Sequence, residues 1–254
     1  VLNIIHDSFD AIPISRNYIL QLHKIMYSHM NNPLAGQTKN VQNYISATYP
    51  DGHTETLFTP LSPFETPEAL DKICEEYNRV IGNFEVEPLI AIPIFIHDFL
   101  CIHPFNDGNG RMSRLLTTLL LYRNGFYVGK YISLEAKIAK AKDLYYDALA
   151  RSQDGWHEGC EDAAPFIKYL LSTILAAYKD FEDRFSIVET KLPAVEMVRK
   201  ATQNKIGKFT KQDIRELCPS LSISSIEGSL RKLVKEGDLK REGSGKATYY
   251  TRLR

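Results

Sequence analysis

The chain has 254 residues with 31 basic and 31 acidic side chains, and 44% of its residues are hydrophobic, which is ordinary for a protein that buries a core. Its longest apolar runs fall well short of the roughly 20 residues that a membrane-spanning helix needs, so a membrane partner is excluded. The four cysteines lie far apart in the sequence and form no CxxC pair, so we expect reduced thiols in a cytoplasmic protein.

The zero net charge hides an asymmetry along the chain. From Lys191 onward there are 15 basic and 7 acidic residues, and the preceding residues carry the opposite surplus. A change of sign of this size indicates two units with different partners. We therefore predict a first domain over 1–189 and a second domain over 190–254.

The first domain is predicted to be mainly helical. Apolar residues recur at helical spacing in most of its segments, and proline and glycine mark the breaks between them. Thr66 before Pro67 is typical of an N-cap followed by proline at the first helical position. The predicted helices cover 14–30, 66–82, 87–102, 110–124, 133–151 and 164–185. The helix over 87–102 is apolar almost all round, which predicts a central position in the core.

Residues 41–58 have a different texture from these helices. They are rich in β-branched and aromatic side chains around a Pro50-Asp51-Gly52 turn. That pattern is typical of a β-hairpin. The first domain is therefore predicted to be an α fold that carries one hairpin.

The second domain is predicted to contain three short helices and two strands. The helical segments cover 194–202, 209–218 and 222–237, and the strands flank a Gly-Ser-Gly turn at 243–245. Three helices and a hairpin in about 64 residues are typical of a winged helix-turn-helix, a small α+β domain.

A polar loop, CIHPFNDGNGRMSRLL over 101–116, lies between two of the apolar helices. A helix N-terminus leaves several N–H groups unpaired and carries the positive end of the helix dipole. Glycines just before the helix let these N–H groups converge on an anion. Arg111 and Arg114 share one face of the first turn, and guanidinium groups suit phosphate oxygens. The loop therefore predicts a site for more than one phosphate.

Asp107 would repel phosphates at this site unless a divalent cation lay between them, as Mg²⁺ typically does. The groups therefore fit a nucleotide polyphosphate bound with Mg²⁺. His103, four residues earlier, can take a proton from an incoming hydroxyl near neutral pH. Phe105 is apolar among these polar residues, so we expect it to enter the core and anchor the loop.

The stretch HPFNDGNGRMSR resembles the full signature of the Fic (filamentation induced by cAMP) family, His-x-Phe-x-Asp/Glu-Gly-Asn-Gly-Arg-x-x-Arg, with every defining position filled. The hairpin, the apolar helix into the motif and LYYDAL after it extend the resemblance over about residues 1–185. The resemblance implies an all-α Fic core with a hairpin flap. It also implies transfer of AMP from ATP to a hydroxyl of a target protein.

The resemblance assigns a role to each residue of the motif. It implies that His103 is the general base that activates a target Ser, Thr or Tyr, and that Asp107 holds Mg²⁺ on the α and β phosphates. It implies that Arg111 contacts the β-phosphate and that Arg114 reaches the γ-phosphate and orients it. The anion hole for the α-phosphate is then formed by Gly108, Asn109 and Gly110.

Two further regions take an expected role from the resemblance. Tyr145 and Tyr146 resemble aromatic residues that family members place near the base, and both stacking on adenine and plain core packing stay open for them. The hairpin over about 42–60 resembles the flap, whose edge pairs with a stretch of the target, although a hairpin with no such role is the alternative. The flap residues expected to bind the target are Thr56, Leu57, Phe58 and Thr59.

Related Doc kinases alter the glycine-rich part of the motif and bind the nucleotide in the reversed orientation. Because Gly108 and Gly110 are both present here, the resemblance favours AMP transfer over phosphate transfer.

Many Fic proteins carry an inhibitory helix with Ser/Thr-x-x-x-Glu-Gly/Asn, whose glutamate pairs with the second arginine of the motif. SSIEGS over 224–229 departs from this pattern because Ile223 stands four residues before Glu227. It lies in a predicted helix of the second domain, so we interpret it as a decoy. The start of the chain, VLNIIHDSFD, resembles the segment that follows the inhibitory helix in relatives, which predicts such a helix upstream of Val1.

The leading hypothesis is a protein adenylyltransferase that depends on Mg²⁺ and uses ATP. Two alternatives stay open, a nucleotide-responsive regulator that binds DNA and an enzyme that removes AMP from a modified protein. Fic domains often dimerise, which leaves a homodimer open as well. Modules of the winged type bind DNA or proteins or act as spacers, and the residues here that suit a nucleic-acid backbone are Ser225, Arg231, Lys232, Lys235, Arg241 and Lys246.

Overall fold

A computed structural model describes residues 1–30, 32–48, 51–189, 192–203, 205 and 207–253, and only the backbone of residues 48, 185–189 and 246. The chain is mainly helical, as predicted, and forms two compact units over 1–175 and 176–254. The predicted domain boundary after residue 189 falls at Thr190, which lies outside the described residues, and it stays a prediction.

The first unit consists of helices and one two-stranded sheet. Its helices are α1 (Leu2–Ser8), α2 (Arg16–Met26), α3 (Thr66–Gly82), α4 (Pro88–Ile102), α5 (Asn109–Arg123), α6 (Leu134–Lys140), α7 (Lys142–Gln153) and the first part of α8 (Ala164–Glu189). Helix α4 is buried along most of its length and packs against α3 and α5, which confirms its predicted central position.

Two local predictions are wrong. Residues 133–151 form α6 and α7 and not one helix, because Ala141, with φ −112° and ψ 37°, leaves the helical conformation without a proline or glycine to mark the break. Thr66 is the first residue of α3 and not its N-cap, so Pro67 takes the second helical position. The Thr66 hydroxyl donates to the Ser62 carbonyl at 2.8 Å and therefore serves the preceding turn.

The predicted hairpin is confirmed by strands β1 (Ile45–Thr48) and β2 (Thr54–Phe58), which pair antiparallel. Ser46 lies opposite Thr56, and the register shifts between Ile45 and Ser46. Pro50 of the predicted turn, and Tyr49 before it, lie outside the described residues.

The second unit has the order of elements that the sequence predicts. Its elements after α8 are α9 (Ala194–Gln203), α10 (Lys211–Leu217), α11 (Ile223–Lys235), β3 (Leu239–Glu242) and β4 (Tyr249–Arg252). The strands pair antiparallel, and Phe209 bridges to Tyr250. Its core is built from apolar side chains of all three helices and both strands, among them Val198, Ile214, Leu230, Leu239 and Tyr250. The winged-helix assignment of this unit stays a prediction, and the side chain of Lys246 lies outside the described part.

Within the described part of the chain, no helix combines the length and the apolar character needed to cross a bilayer.

Candidate active site

The loop between α4 and α5 turns the chain with two residues in the left-handed conformation. His103 follows α4 with φ 52°, and Gly108 precedes α5 with φ 89°. Glycine adopts this conformation freely, whereas a residue with a side chain pays about 1–2 kcal/mol for it. The backbone around His103 must therefore be held by its surroundings.

The imidazole of His103 is held in one neutral tautomer. Its Nδ1 lies 3.2 Å from the Leu100 carbonyl oxygen. A carbonyl only accepts, so Nδ1 carries the proton and Nε2 keeps its lone pair. Burial lowers the pKa of His103 to about 4, and the charge of Lys39 acts in the same direction. The imidazole is therefore neutral at pH 7, and its unprotonated nitrogen is Nε2.

Phe105 anchors the loop in the core, as expected. It is fully buried and stacks on His23 with ring centroids 3.7 Å apart and planes at 4°. The buried side chain of Asn109 brackets the same residue, because its Oδ1 accepts from the Phe105 N–H at 2.9 Å and its Nδ2 donates to the Phe105 carbonyl at 2.6 Å. Asn109 therefore holds the loop through its amide, and what it offers an anion is its backbone N–H in the first turn of α5.

His23 on α2 fixes the other side of the loop. Its Nδ1 accepts from the Gly36 N–H at 2.9 Å, so the ring proton is on Nε2, which donates to the Asp107 carbonyl at 3.0 Å. Burial lowers the pKa of His23, so the neutral form persists. A side chain 84 residues away thus holds the backbone of Asp107.

The carboxylate of Asp107 is bound on both oxygens. The Tyr27 hydroxyl donates to Oδ2 at 2.5 Å, Arg111 donates to the same oxygen at 2.9 Å, and the Gly108 N–H donates to Oδ1 at 2.6 Å. The hydrogen bond from Tyr27, together with Gly108 and Arg111, lowers the pKa of Asp107. Arg111 also donates to the Tyr27 hydroxyl at 2.5 Å and lies over its ring at 4.9 Å. These contacts keep the carboxylate ionised.

The Asp107 side chain suits a metal that shares its ligands with a substrate. It is 70% exposed, so its oxygens are open to an incoming cation. Across the residues that the structure describes, no three His, Cys, Asp or Glu side chains gather into a metal cage. Mg²⁺ commonly binds through one or two carboxylates plus substrate phosphates, and the exposed carboxylate of Asp107 fits that mode of binding.

Arg111 and Arg114 line one cleft of about 610 Å³, together with Lys130. The Arg114 guanidinium pairs with Glu135 of α6, with Nε and Oε1 3.1 Å apart. The Glu135 side chain is 64% exposed, so this ion pair faces solvent. The cleft therefore offers three cations to a polyanion, and two of them, Arg111 and Arg114, are each paired with a protein carboxylate.

Tyr145 and Tyr146 lie in different environments. Tyr145 belongs to an aromatic cluster with Phe166 and Tyr169, at centroid distances of 6.1 and 5.6 Å, and it hydrogen-bonds Ser113 of α5. Tyr146 is half exposed. The cluster favours core packing for Tyr145. The exposed ring of Tyr146 is available to a nucleotide base or to a protein partner.

The expected flap residues lie at the end of β2 that is farther from the hairpin turn. Thr56, Leu57 and Thr59 are exposed, whereas Phe58 is partly buried and stacks on His157 at 5.3 Å. His157 Nε2 also donates to the Thr59 carbonyl at 2.9 Å, so this end of β2 is tied to the turn after α7. Phe58 therefore anchors the strand, and its neighbours are the residues available to a target.

Sequence reasoning missed several residues that shape the site. His23 and Tyr27 stand four residues apart, a spacing that puts both on one side of α2 and its final turn. That spacing was a usable signal, because polar groups on the buried side of a helix need partners. Lys39 and Asn43, which contact the loop from the segment before strand β1, carry no such signal.

Comparison with known proteins identifies one family. The model of the Fic/DOC family matches residues 13–121. A Fido domain-containing protein of Dictyostelium discoideum is 30% identical over 131 residues, which cover 50% of this chain and 87% of the relative. The protein adenylyltransferase fic-1 of Caenorhabditis elegans is 31% identical over 157 residues, which cover 62% of this chain and 26% of the relative.

Solved structures agree with this comparison. The crystal structure of a Fic family protein from Desulfovibrio desulfuricans G20 superposes with a TM-score of 0.55 at 19% identity, over 99% of this chain and 71% of that one. A structure of C. elegans Fic-1 superposes with a TM-score of 0.51 at 25% identity, over 70% of this chain and 47% of that one.

The crowding around Gly108 generates a test of the site. A Cβ at this position would lie 2.8 Å from Met26 Cε and 2.9 Å from the Tyr27 hydroxyl. We expect Gly108→Ala to displace Tyr27 and Asp107 and to weaken the binding of a fluorescent nucleoside triphosphate at least about tenfold, a loss of about 1.4 kcal/mol. Titration of the labelled nucleotide measures the effect.

Gly125→Ala is the matched control. Gly125 has φ 85°, close to that of Gly108, but a Cβ there meets no atom within 4 Å. It carries the same backbone strain of about 1–2 kcal/mol without the collision, so nucleotide affinity should stay within about twofold. An equal loss of affinity in the two variants would show that strain alone, and not the contact with Tyr27, accounts for the result.

Proposed function

The chain belongs to the Fic/DOC family, and we propose that it is a protein adenylyltransferase, which moves AMP from ATP to a hydroxyl side chain of a target protein. The chain spans about a quarter of the length of the C. elegans adenylyltransferase that it matches, so the activity is a proposal for this chain. The observation that carries it is His103 as a neutral imidazole whose Nε2 has no hydrogen-bond partner among the described residues, at the turn that leads into a helix start with two arginines.

The proposed reaction is an in-line displacement at the α-phosphorus. His103 Nε2 takes the proton of the target hydroxyl as its oxygen bonds to the α-phosphorus. The bond from that phosphorus to the α–β bridging oxygen breaks, and the electron pair leaves with pyrophosphate. The products are the AMP-protein ester, pyrophosphate and a proton on His103, which passes to water.

The phosphate contacts follow from the start of α5 and its arginines. The first-turn N–H groups, which have no acceptor within the helix, are proposed to bind the α-phosphate. Arg111 is proposed to bind the β-phosphate and Arg114 the γ-phosphate. The exposed Arg114–Glu135 pair is worth only about 0–1 kcal/mol, so a triphosphate with charge-assisted bonds to the same guanidinium can displace Glu135.

Asp107 is the residue proposed to hold Mg²⁺. Its ionised and exposed carboxylate supports this role, and Tyr27 and Arg111 keep the oxygens in place. When bound, Mg²⁺ neutralises charge on the phosphate oxygens.

The intact glycines support AMP transfer over phosphate transfer. A side chain at Gly108 would collide with Met26 and Tyr27, so the loop as it is built requires glycine at this position. Removal of AMP from a modified protein would use the same groups and is the alternative reaction at this site.

A second candidate function belongs to the unit over 176–254. Lys211, Arg231 and Arg241 line one cleft of about 690 Å³. Arg231 and Arg241 are exposed, and Lys211 pairs with Glu227 at 2.5 Å. Two exposed arginines and the net positive charge of the sequence after 190 support binding to a nucleic-acid backbone.

The first test labels the transferred group. When the chain is added to a lysate with ATP labelled at the α-phosphorus, we expect more label on proteins than in the lysate alone, and with ATP labelled at the γ-phosphorus we expect no increase over the lysate alone. His103→Ala should lose the transfer by at least about a hundredfold, the typical worth of a general base, and keep ATP affinity within about twofold. Arg114→Ala should weaken ATP binding itself. Label from the γ-position would identify a kinase, and unchanged transfer by His103→Ala would reject it as the base.

The lowered pKa of His103 predicts the pH dependence. The base acts when deprotonated, and burial lowers its pKa from 6.5 to about 4. The rate at saturating ATP should therefore show no ionisation near pH 6.5 and fall only as the pH approaches about 4. The free energy of unfolding should depend on pH in the same direction. The neutral imidazole contributes to stability above the pKa that His103 has in the unfolded chain, and this contribution is lost as the pH falls through its pKa in the folded chain.

Initial rates at saturating ATP over a pH series measure this profile, and ATP affinity over the same series separates effects on binding. A fall in rate centred near pH 6.5, with binding unchanged, would contradict the expectation.

The nucleic-acid candidate predicts a salt-dependent affinity. The chain should bind labelled duplex DNA at low salt, and the logarithm of the affinity should fall linearly with that of the salt concentration. Arg231→Ala and Arg241→Ala should each lower the slope by about 1. Arg215→Ala, an exposed change outside the cleft, should leave the slope unaltered. No binding at low salt would exclude this function.

A further inference from the structure

Four consecutive carbonyl groups around His103 accept hydrogen bonds from two residues that precede strand β1, Lys39 and Asn43. Lys39 Nζ donates to the Ile102 carbonyl at 2.9 Å, and the Lys39 N–H donates to the Pro104 carbonyl at 2.7 Å. Asn43 Nδ2 donates to the carbonyls of His103 at 3.2 Å and Phe105 at 3.0 Å. Lys39 Nζ also donates to Asn43 Oδ1 at 2.9 Å, so the two side chains form one unit.

The burial of Lys39 is costly. The residue is 2% exposed, and desolvation lowers its pKa to about 8. Its hydrogen-bond partners in the described part of the chain are a carbonyl and an amide oxygen and not a carboxylate. Buried lysines are rare unless they are paired, and an apolar side chain would fill the same space without the desolvation penalty. The cationic group therefore serves something other than packing.

The strained backbone at His103 is what these bonds hold. The residue has φ 52°, and the carbonyls of Ile102 and His103, which flank its peptide units, are both bound. The imidazole is tied to the same backbone through its bond to the Leu100 carbonyl. The direction of Nε2 therefore depends on the conformation that the two side chains hold.

We propose that Lys39 and Asn43 are positioning residues that fix the backbone of His103 and aim its imidazole at the target hydroxyl. This rests on the proposed function and deepens it. Both residues lie in the segment that leads into β1, and Gln42 between them donates to the Pro60 carbonyl at 2.9 Å, where the hairpin ends. One short segment thus holds both His103 and the hairpin. A target bound to the hairpin would therefore have its hydroxyl at a fixed position relative to His103.

The test separates positioning from nucleotide binding. Lys39→Met keeps the buried stem but removes the charge and the donors, and it should lower the initial rate of AMP transfer to lysate proteins at saturating ATP at least tenfold. ATP affinity should change by less than twofold, because neither residue lines the cleft of Arg111 and Arg114. Lys39→Arg, which keeps the charge and a donor, should recover part of the rate. Lys168→Met, an exposed change on α8, should leave it unaltered.

Asn43→Ala gives a second variant in case Lys39→Met does not fold. It keeps both bonds of Lys39 to the loop and removes those to the His103 and Phe105 carbonyls, so the rate should fall in the same direction by about threefold to tenfold, or about 0.7–1.4 kcal/mol. Thermal unfolding of each variant shows whether the fold persists.

Histidine NMR provides a readout that does not need transfer. Lys39 is the charged group that acts on His103 in the described part of the chain. Its replacement by methionine should shift the His103 ring signal and raise its titration midpoint, whether or not the wild-type chain transfers AMP. A folded Lys39→Met with the wild-type rate and ring signal, or with rate and ATP affinity reduced by the same factor, would overturn the proposal. If the wild-type chain transfers no AMP but Lys39→Met still gives the expected NMR shift, the proposed function is rejected and the positioning of His103 by Lys39 is retained.

Discussion

The site depends on one constraint, which is that a buried loop must pair its backbone polar groups while it turns through two left-handed residues. Loops usually lie at the surface because water satisfies their carbonyl and N–H groups. Between α4 and α5 the protein supplies the partners instead. The Ile102–Phe105 carbonyls accept from Lys39 and Asn43, and the Asp107 carbonyl accepts from His23. The loop is therefore shaped by residues that come 60 or more positions earlier in the chain.

The charges of the site are divided between surface and interior. The carboxylates of Asp107 and Glu135 each hold an arginine in partly exposed ion pairs. Such pairs contribute little to stability, so phosphate oxygens can take their place at low cost. The imidazole of His23 is buried and that of His103 is partly buried, and both are neutral because desolvation lowers the pKa of each. A triphosphate would therefore rearrange the exposed partners and leave the buried framework as it is.

How much the sequence predicted depends on how local each feature is. The helices on either side of the motif, the hairpin and the burial of Phe105 follow from patterns within a few residues. The inward direction of the Asn109 amide was not predicted, because the amide hydrogen-bonds the backbone of Phe105 and does not face a phosphate site. The roles of His23 and Lys39 depend on contacts across 84 and 63 residues, which no short pattern contains. Neither did any pattern mark the break at Ala141.

Helix α5 explains why these contacts yield a rigid site. Leu116, Leu119 and Leu120 are almost fully buried, and each contributes about 1.5–3 kcal/mol by leaving water. The helix start is therefore fixed in the core, and its N–H groups cannot turn away when an anion arrives. On the other side of the loop, α4 ends at His103 and is fixed in the same way by its apolar surface. In the proposed reaction the donors and the base would come from two helix ends that are packed in the core, so little reorganisation would be needed, which is the condition under which such groups stabilise a transition state best.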